Sequence, residues 1–459
     1  MRTQLPQIFL ESLEGLKGFD KDAFENVHKS GQQVTSIRFN PFKINNVSAL
    51  TSIAENIEGK IPWTSNGYYL SQRPSFTLDP TFHFGAYYVQ EASSMLLEQV
   101  VSQTCDLNKP LIALDLCAAP GGKSTHLLSL LPQDSLLISN EVIRSRASVL
   151  TENIEKWGCD NVIVTNNDPA DFSRLPEFFD LILVDAPCSG EGLFRKEPES
   201  IEEWSPKNVE LCSLRQRRIV SDVWNSLKPG GIMIYSTCTY SEKENLENLD
   251  WFAGQQALKF ENIALDPDWG VSALSTKSAT AYQAFPHCVK GEGFFFSVAR
   301  KSGNAVGKKI RTKDTLRYPA KAELSTVLNW VHEPESRLFF LYDQQIRMIH
   351  DTLQDFLRIA LGKLHVVHAG IAVGEIMKNR IVPDHGLALS TALNKSNLLT
   401  ISVDTAQALD YLRKNSLNLT SPQTGFHIVE FQGLGLGWVN MLASRINNLY
   451  PSGRRILMK

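Results

Sequence analysis

The 459-residue sequence has few cysteines and no pairing among them: seven, at positions 105, 117, 159, 188, 212, 238 and 288, with no C-x-x-C. An odd count without paired spacing argues against a disulfide framework and a cysteine-based zinc knuckle. An excess of positive charge is also missing. The formal net charge is −3, so any nucleic-acid binding has to come from local basic surfaces. No apolar run approaches the roughly 18 residues of a membrane helix, and no membrane association is expected. The opening MRTQLPQIFLESLEG lacks the apolar stretch of a signal peptide, Glu11 and Glu14 interrupting it early. The expectation is a cytoplasmic protein, and a monomer. Fixed-period repeats and long low-complexity tracts are absent too. The composition, 43% hydrophobic and 21% charged, is globular, and the length implies two to four domains.

Residues 1–95 mix short helical and strand-like pieces and read as an N-terminal α+β extension. VTSIRFNPFKI predicts a strand ending in a turn at Asn40-Pro41, and YYLSQRPSFTLDPTFHFGAYYVQEASSM an irregular segment feeding a helix. Within 96–301 the pattern becomes alternating strands and helices. Apolar runs at 111–117, 135–141, 162–165, 180–185, 231–238 and 293–299 predict strands. Between them Leu150, Ile154 and Trp157 keep helical spacing. So do Val220, Val223, Trp224 and Leu227, with Pro229-Gly230-Gly231 as the stop. Repeated strand–helix units predict an α/β, parallel, doubly wound sheet. The stretch RKSGNAVGKKIRTKDTLRYPAK carries eight Lys or Arg against one Asp. Its body, 302–320, is a basic linker, either a solvated hinge or a strap on phosphates. An accessory α+β region, 321–390, and a small β-rich end with an Arg-rich finish, 391–459, complete the chain.

The loop after the first predicted strand is DLCAAPGGKST. A nucleotide-type ligand in such a sheet binds there, beyond the carboxyl ends of the strands. A dinucleotide fingerprint needs G-x-G-x-x-G and fails. A P-loop shares Gly122-Lys123-Ser124, and LILVDAP resembles its acidic strand with Asp185. However, Cys117 replaces the first glycine, and Pro120 has no N–H for phosphate. S-adenosylmethionine carries no phosphate. It needs close backbone approach, which Gly121 and Gly122 allow, and an acid for its ribose hydroxyls, for which Glu141 is placed.

LVDAPCSGEG sets Asp185 and Cys188 just past the fourth strand, and IYSTCTYSE sets Cys238 at the end of the fifth. A single strand-end thiol is more often packing than chemistry. Two thiols, an acid and a cofactor loop together fit methylation of cytosine carbon 5. A thiolate adding to carbon 6 makes carbon 5 nucleophilic, an acid manages the proton at nitrogen 3, and a second group helps release. Lys123 is placed to favour ionised Asp185 or a thiolate.

These motifs, with Glu141 closing NE, Asp168 closing ND, and the flanking YYVQEASSML, resemble the RNA cytosine-5 methyltransferases, bacterial ribosomal and eukaryotic nucleolar. The resemblance spans most of residues 65–301, and GWVNMLASRINNLYP resembles the PUA-like, RNA-binding end of bacterial small-subunit ribosomal members. It implies a Rossmann-like S-adenosylmethionine-dependent domain with a C-terminal PUA-like module. It implies Cys238 as nucleophile and Cys188 as the group assisting release, a division that the residues themselves leave open. It implies cofactor contacts at Cys117, Ala118, Ala119, Pro120, Gly121, Gly122, Lys123, Glu141, Asp168 and Asp185, with Asp185 also facing the target base. Asp168 has a second reading as a turn former before Pro169. The implied partner is RNA, small-subunit ribosomal RNA or, alternatively, transfer RNA. A P-loop NTPase and a non-catalytic RNA-binding scaffold are the alternatives of another class. Arg38 and Lys43 read equally as RNA contacts and as ordinary surface charges.

Overall fold

The computed structural model describes residues 5–45, 47, 50–304, 310–378 and 380–458. Its centre is built by the apolar runs of the middle of the chain. β1 (Ile112–Asp115), β2 (Leu136–Asn140), β3 (Val162–Thr165), β4 (Phe179–Asp185) and β5 (Leu227–Thr237) pair in parallel, in the order β3-β2-β1-β4-β5. Side chains alternate between two apolar clusters. Ile182 and Val184 join one, with the helices α3 (Pro206–Trp224) and α4 (Leu246–Gln255). Leu181 and Leu183 join the other, with α1 (Gly122–Leu130) and α2 (Arg144–Trp157). Burial on both faces is why these strands read as continuous apolar runs rather than alternating ones.

The remaining strands are β6 (Leu258–Phe260), β7 (Ser272–Ser275), β8 (Thr280–Ala284), β9 (Phe294–Lys301) and β10 (Val366–Ala369). The full order is β7-β8-β9-β5-β4-β1-β2-β3-β10, with β6 beside β9. β9 runs antiparallel to β5, so the sheet is mixed rather than wholly parallel. β10, from the region after the basic linker, adds to β3 antiparallel and extends the catalytic sheet. The helix expected to reach Leu227 ends at Trp224, and Leu227 opens β5. The backbone N–H groups of Phe178 and Phe179 bond the Ser226 carbonyl at 2.8 and 2.9 Å. That draws the chain into the sheet before Pro229 is reached.

A four-stranded antiparallel sheet precedes this core: Ile57–Lys60, Gly67–Leu70, Thr35–Phe39 and Tyr87–Tyr88, in that spatial order. It corrects one expectation. Arg38, 1% exposed, is no RNA contact; it donates to Gln90 Oε1, Ser129 Oγ, Thr125 Oγ1 and the Gly122 carbonyl, and lies over Trp157. Lys43 donates to the Phe84 and Lys156 carbonyls. A buried cation persists when its donors are satisfied, and here Arg38 pins the N-terminal sheet to the helix that follows the first loop.

Two further four-stranded sheets complete the chain, Arg337–Tyr342 with Gln345–His350, Ile371–Met377 and Arg380–Pro383, then Leu399–Ser402 with Gly425–Phe431, Leu434–Met441 and Ile446–Asn448. The last is the PUA-like module. Arg454, part of the Arg-rich finish, pairs with Glu155 and Glu152 of α2, so it ties the tail inward. Of the linker, Arg311, Lys313 and Arg317 are exposed, while Lys308 and Lys309 lie outside the described residues.

Candidate active site

The strand order reverses between β1 and β4, and a crevice opens beyond the carboxyl ends of strands at such a point. A cavity of about 640 Å³ lies there, and Glu141, Asp185, Cys188 and Cys238 share its wall. A smaller one, about 180 Å³, meets it at Cys117, Ala119 and Asp185 and is lined also by Tyr88, Gln90, Asp115 and Lys123.

The loop between β1 and α1 separates the two. Gly121 sits at φ +116°, a left-handed conformation open to glycine, and a Cβ there would lie 3.2 Å from Leu150. A Cβ at Gly122 would lie 3.2 Å from the Tyr88 ring. The loop is fastened from outside. Asn140 Nδ2 donates to the Leu116 carbonyl at 3.1 Å, Arg146 to that of Ala119 at 2.9 Å and Asn153 Nδ2 to that of Pro120 at 2.8 Å. Glu141 follows β2 directly. Its carboxylate accepts from the Ile143 N–H at 2.9 Å and meets Arg146 at 3.5 Å.

Asp115, at the end of β1, is fully buried. Ser124 Oγ donates to Oδ2 at 2.7 Å, while Oδ1 has no hydrogen-bond partner. Burial pushes its pKa up to about 7. Beneath it, burial also raises the Cys117 thiol well above its ordinary range. An unpartnered buried carboxylate oxygen on the wall of the smaller cavity, with Glu141 and Asp185 on the wall of the larger, is a set of groups that fits a polar, phosphate-free ligand such as S-adenosylmethionine.

Across the cavity, Asp185 is held on both oxygens: Ser236 Oγ donates to Oδ1 and Lys123 Nζ to Oδ2, each at 2.8 Å. Burial works against the Lys123 charge, but Asp185 outweighs it, and the ammonium pKa ends raised. The Cys188 and Cys238 sulfurs stand 3.0 Å apart, both as free thiols. The hydrogen bond to Cys238, then burial, holds the Cys188 pKa well above the ordinary thiol value. Either sulfur can donate in that contact. Asp168 lies apart from this cluster. Its carboxylate caps the turn after Pro169, accepting from the Ala170 N–H at 3.0 Å, and pairs with Arg218 at 3.3 Å; Pro169, not Asp168, reaches the cavity wall.

Several participants went unforeseen in the sequence: Asp115, Asn140, Arg146, Ser236, Arg215, and the buried glutamates Glu191 and Glu244. Asp115, Asn140, Glu191 and Ser236 lie inside the motifs DLCAAPGGKST, NE, LVDAPCSGEG and IYSTCTYSE, the one signal that singles them out. Arg146, Arg215 and Arg218 line the larger cavity. The first pairs with Glu141 and the last with Asp168 and Asp222; Arg215, exposed, has no ionic or hydrogen-bond partner among the described residues. No group of three or more metal-capable side chains occurs among the described residues, and no described helix is long and apolar enough to cross a membrane.

The sheet order, the loop after β1 and the acid after β2 define a Rossmann-like methyltransferase of the S-adenosylmethionine-dependent type. Comparison with known proteins places it more closely. Residues 104–300 match the family described as 16S rRNA methyltransferase RsmB/F, residues 5–92 the N-terminal domain of 16S rRNA methyltransferase RsmF, and residues 398–456 the methyltransferase RsmF PUA domain. Ribosomal RNA small subunit methyltransferase F of Cronobacter sakazakii is 30% identical over 437 residues, covering 91% of this chain and 89% of the relative. That of Vibrio vulnificus is 30% identical over 469 residues, covering 97% of each. Among solved structures, a methyltransferase homolog protein from Pyrococcus horikoshii is 26% identical with a TM-score of 0.52, over 65% of this chain and all (100%) of that one. NSun6 from the same organism shares the fold at 20% identity and a TM-score of 0.54, over 66% of this chain and 99% of its own. The chain belongs to the RsmB/F methyltransferase family and is an enzyme. A P-loop NTPase is thereby set aside.

Proposed function

We propose that this enzyme methylates carbon 5 of a cytosine in small-subunit ribosomal RNA, through a covalent bond between Cys238 and carbon 6 of the base. The observation that carries the reading is the contact of the Cys188 and Cys238 sulfurs on the wall that Asp185 and the 117–123 loop share. When bound, S-adenosylmethionine supplies an electrophilic methyl group carried on a sulfonium. Residues 117–123, Glu141 and Asp185 would hold it; Tyr88, Gln90 and Asp115 add the walls of the smaller cavity.

The geometry supports the following roles for the protein's own residues. A Cys188 S–H donated across the 3.0 Å contact would favour the Cys238 thiolate as the attacking species and again as the leaving group. Addition to carbon 6 places charge on the ring. Asp185, fixed by Ser236 and Lys123, is positioned to hold a proton shared with nitrogen 3. Lys123, paired with Asp185, offsets part of the negative charge of Asp185 and a Cys238 thiolate. Release needs a base to take the proton from carbon 5 as the Cys238–carbon 6 bond breaks and the Cys238 thiolate leaves; Cys188, 3.0 Å from Cys238, is placed to assist that step, so its loss should stall the adduct rather than prevent it.

A target base in structured RNA has to be unpaired or turned out of its stack to reach such a cavity. Arg215, unpaired on the cavity rim, suits the phosphate beside that base, and the exposed linker residues Arg311, Lys313 and Arg317 suit phosphates farther off. Two adjacent reduced thiols fit a cytoplasmic setting. The test is bisulfite sequencing of total RNA with and without the gene. One small-subunit ribosomal cytosine should lose its protection when the gene is deleted and regain it with the wild-type gene but not with Cys238→Ala. Loss at a transfer RNA position instead would move the substrate, and an unchanged map would leave the non-catalytic scaffold.

A further inference from the structure

The loops that carry the two cysteines leave neighbouring strands, β4 and β5, and each is only a few residues long. Neighbouring strand ends alone do not hold two sulfurs in contact; side chains on flexible loops wander by more than the 3.0 Å that separates these. One buried side chain joins the loops directly. Glu191, three residues after Cys188 and 1% exposed, accepts on Oε2 from Thr239 Oγ1 at 2.7 Å and from the Tyr240 N–H at 2.9 Å. Its other oxygen accepts from Trp204 Nε1 at 2.9 Å. Thr239 and Tyr240 are the two residues that follow Cys238.

The neighbouring bonds repeat the pattern. Because Thr239 donates to Glu191, Ser189 Oγ is the donor in the 3.1 Å contact between the two hydroxyls. The Gly192 N–H donates to the Cys238 carbonyl at 2.6 Å, and a Cβ on Gly192 would lie 2.3 Å from that oxygen. Glu244 holds the first loop from behind, accepting from the Ser189 N–H at 3.1 Å and from Gln216 Nε2 at 2.7 Å. Every residue from Ser189 to Gly192 except Gly190 therefore bonds either the other loop or its support.

We propose that Glu191 is a positioning residue: by joining the Cys188 loop to the Cys238 loop through Thr239 and Tyr240, it sets the separation of the two sulfurs and thereby the balance between adduct formation and release. The effect on release rests on the cysteine roles proposed above; the effect on sulfur spacing does not. Cys238 sits on its own strand end and keeps its ability to attack when the latch opens. Cys188 drifts, and the departing thiolate loses its donor.

Two measurements on the full-length protein separate these parts. Phenylarsine oxide condenses with two adjacent thiols, forming two As–S bonds and releasing water. Cys188 and Cys238 are the one such thiol pair in contact among the described residues. Wild-type protein and Glu191→Gln, whose side-chain oxygen still accepts from Thr239 and Tyr240, should bind the arsenical. Glu191→Ala should lose about tenfold in affinity, the scale of one lost buried charge-assisted bond. Cys188→Ala is the zero point, and Thr239→Val, which cuts the same tie with less disruption, should behave like Glu191→Ala. With small subunits isolated from cells lacking the gene, Glu191→Ala should slow turnover about tenfold. Its share of protein in RNA adduct on a denaturing gel should rise, while affinity for S-adenosylhomocysteine stays within about twofold of wild type. Unchanged arsenical binding in both Glu191→Ala and Thr239→Val overturns the latch. Weakened arsenical binding without adduct accumulation, in a preparation where Cys188→Ala also fails to accumulate it, leaves the latch standing and overturns the cysteine roles. Turnover and adduct falling together in Glu191→Ala, with Cys188→Ala trapping adduct normally, overturns the link from spacing to release.

Discussion

On the sulfur side of the cavity, Cys188 and Cys238 stand three residues and one residue past their strands, on loops that are tied to each other by Glu191, Thr239 and Gly192. On the opposite side, Asp115 ends β1 and Glu141 follows β2 with no residue between. The carboxylate side takes its geometry from the strands themselves. The sulfur side takes its geometry from contacts between loops. Rigid placement suits the binding role proposed for the carboxylates, whereas the proposed mechanism has a thiol form and break a bond in sequence, and the relation of the two thiols is set by bonds that do not belong to the sheet.

The largest effects belong to the sulfur side. Cys238→Ala should reduce turnover at least about a thousandfold, measured by transfer of labelled methyl groups to RNA. Cys188→Ala should also stop multiple turnover but should convert the protein to an RNA adduct stable to denaturing electrophoresis. Equal behaviour of the two variants would erase the contrast drawn here between attack and release. On the carboxylate side the effect should be smaller and confined to binding. Glu141→Ala should weaken S-adenosylhomocysteine about tenfold to a hundredfold by calorimetry, the range for a hydrogen bond to a charged group, with no adduct accumulating.

Arg215 tests the boundary between the two sides and the solvent. Arg215→Ala should raise KM for RNA by several-fold, lower the slope of log affinity against log salt by about one, and leave kcat within about twofold of wild type. Arg215→Lys should restore the slope. A change in kcat alone would mean that this guanidinium acts on the chemistry and not on phosphate.

The smallest effect concerns stability. Burial raises the Glu244 pKa from 4.5 to about 7. A carboxyl whose folded pKa exceeds its unfolded one binds its proton more tightly in the folded state. Its contribution is therefore full below pH 4.5 and is lost as pH rises through 7. Glu244→Gln, which has no proton to lose, should melt a few degrees above wild type at pH 8, and the gap should close toward pH 5. A gap that is the same at both values would show that Glu244 is ionised across the range.

Much of this site is readable from residues because it hangs on strand ends. Cys117, Glu141, Asp185, Cys188 and Cys238 each follow an apolar run by no more than three residues, and parallel strands bring such positions together whatever lies between them. Glu191 and Glu244 are invisible to that logic. Glu191 among glycines and a serine, and Glu244 in the charged stretch SEKEN, both read as surface, and only partners 48 and 55 residues away, Thr239 for one and Ser189 for the other, make their burial tolerable. Arg38 and Lys43 misled for the same reason, since their donors are satisfied by groups that sequence spacing does not reveal. The addition of β10 to β3 joins His368 to Val164 across some two hundred residues, beyond the reach of local periodicity.

The most direct measurement is the mass-spectrometric location of the bond in the adduct that Cys188→Ala forms with small subunits from cells lacking the gene. After digestion of protein and RNA, the nucleotide mass should sit on the peptide containing Cys238, and no adduct should form when Cys238→Ala is added to Cys188→Ala. An adduct on any other cysteine, or one that persists in the double variant, would contradict the account.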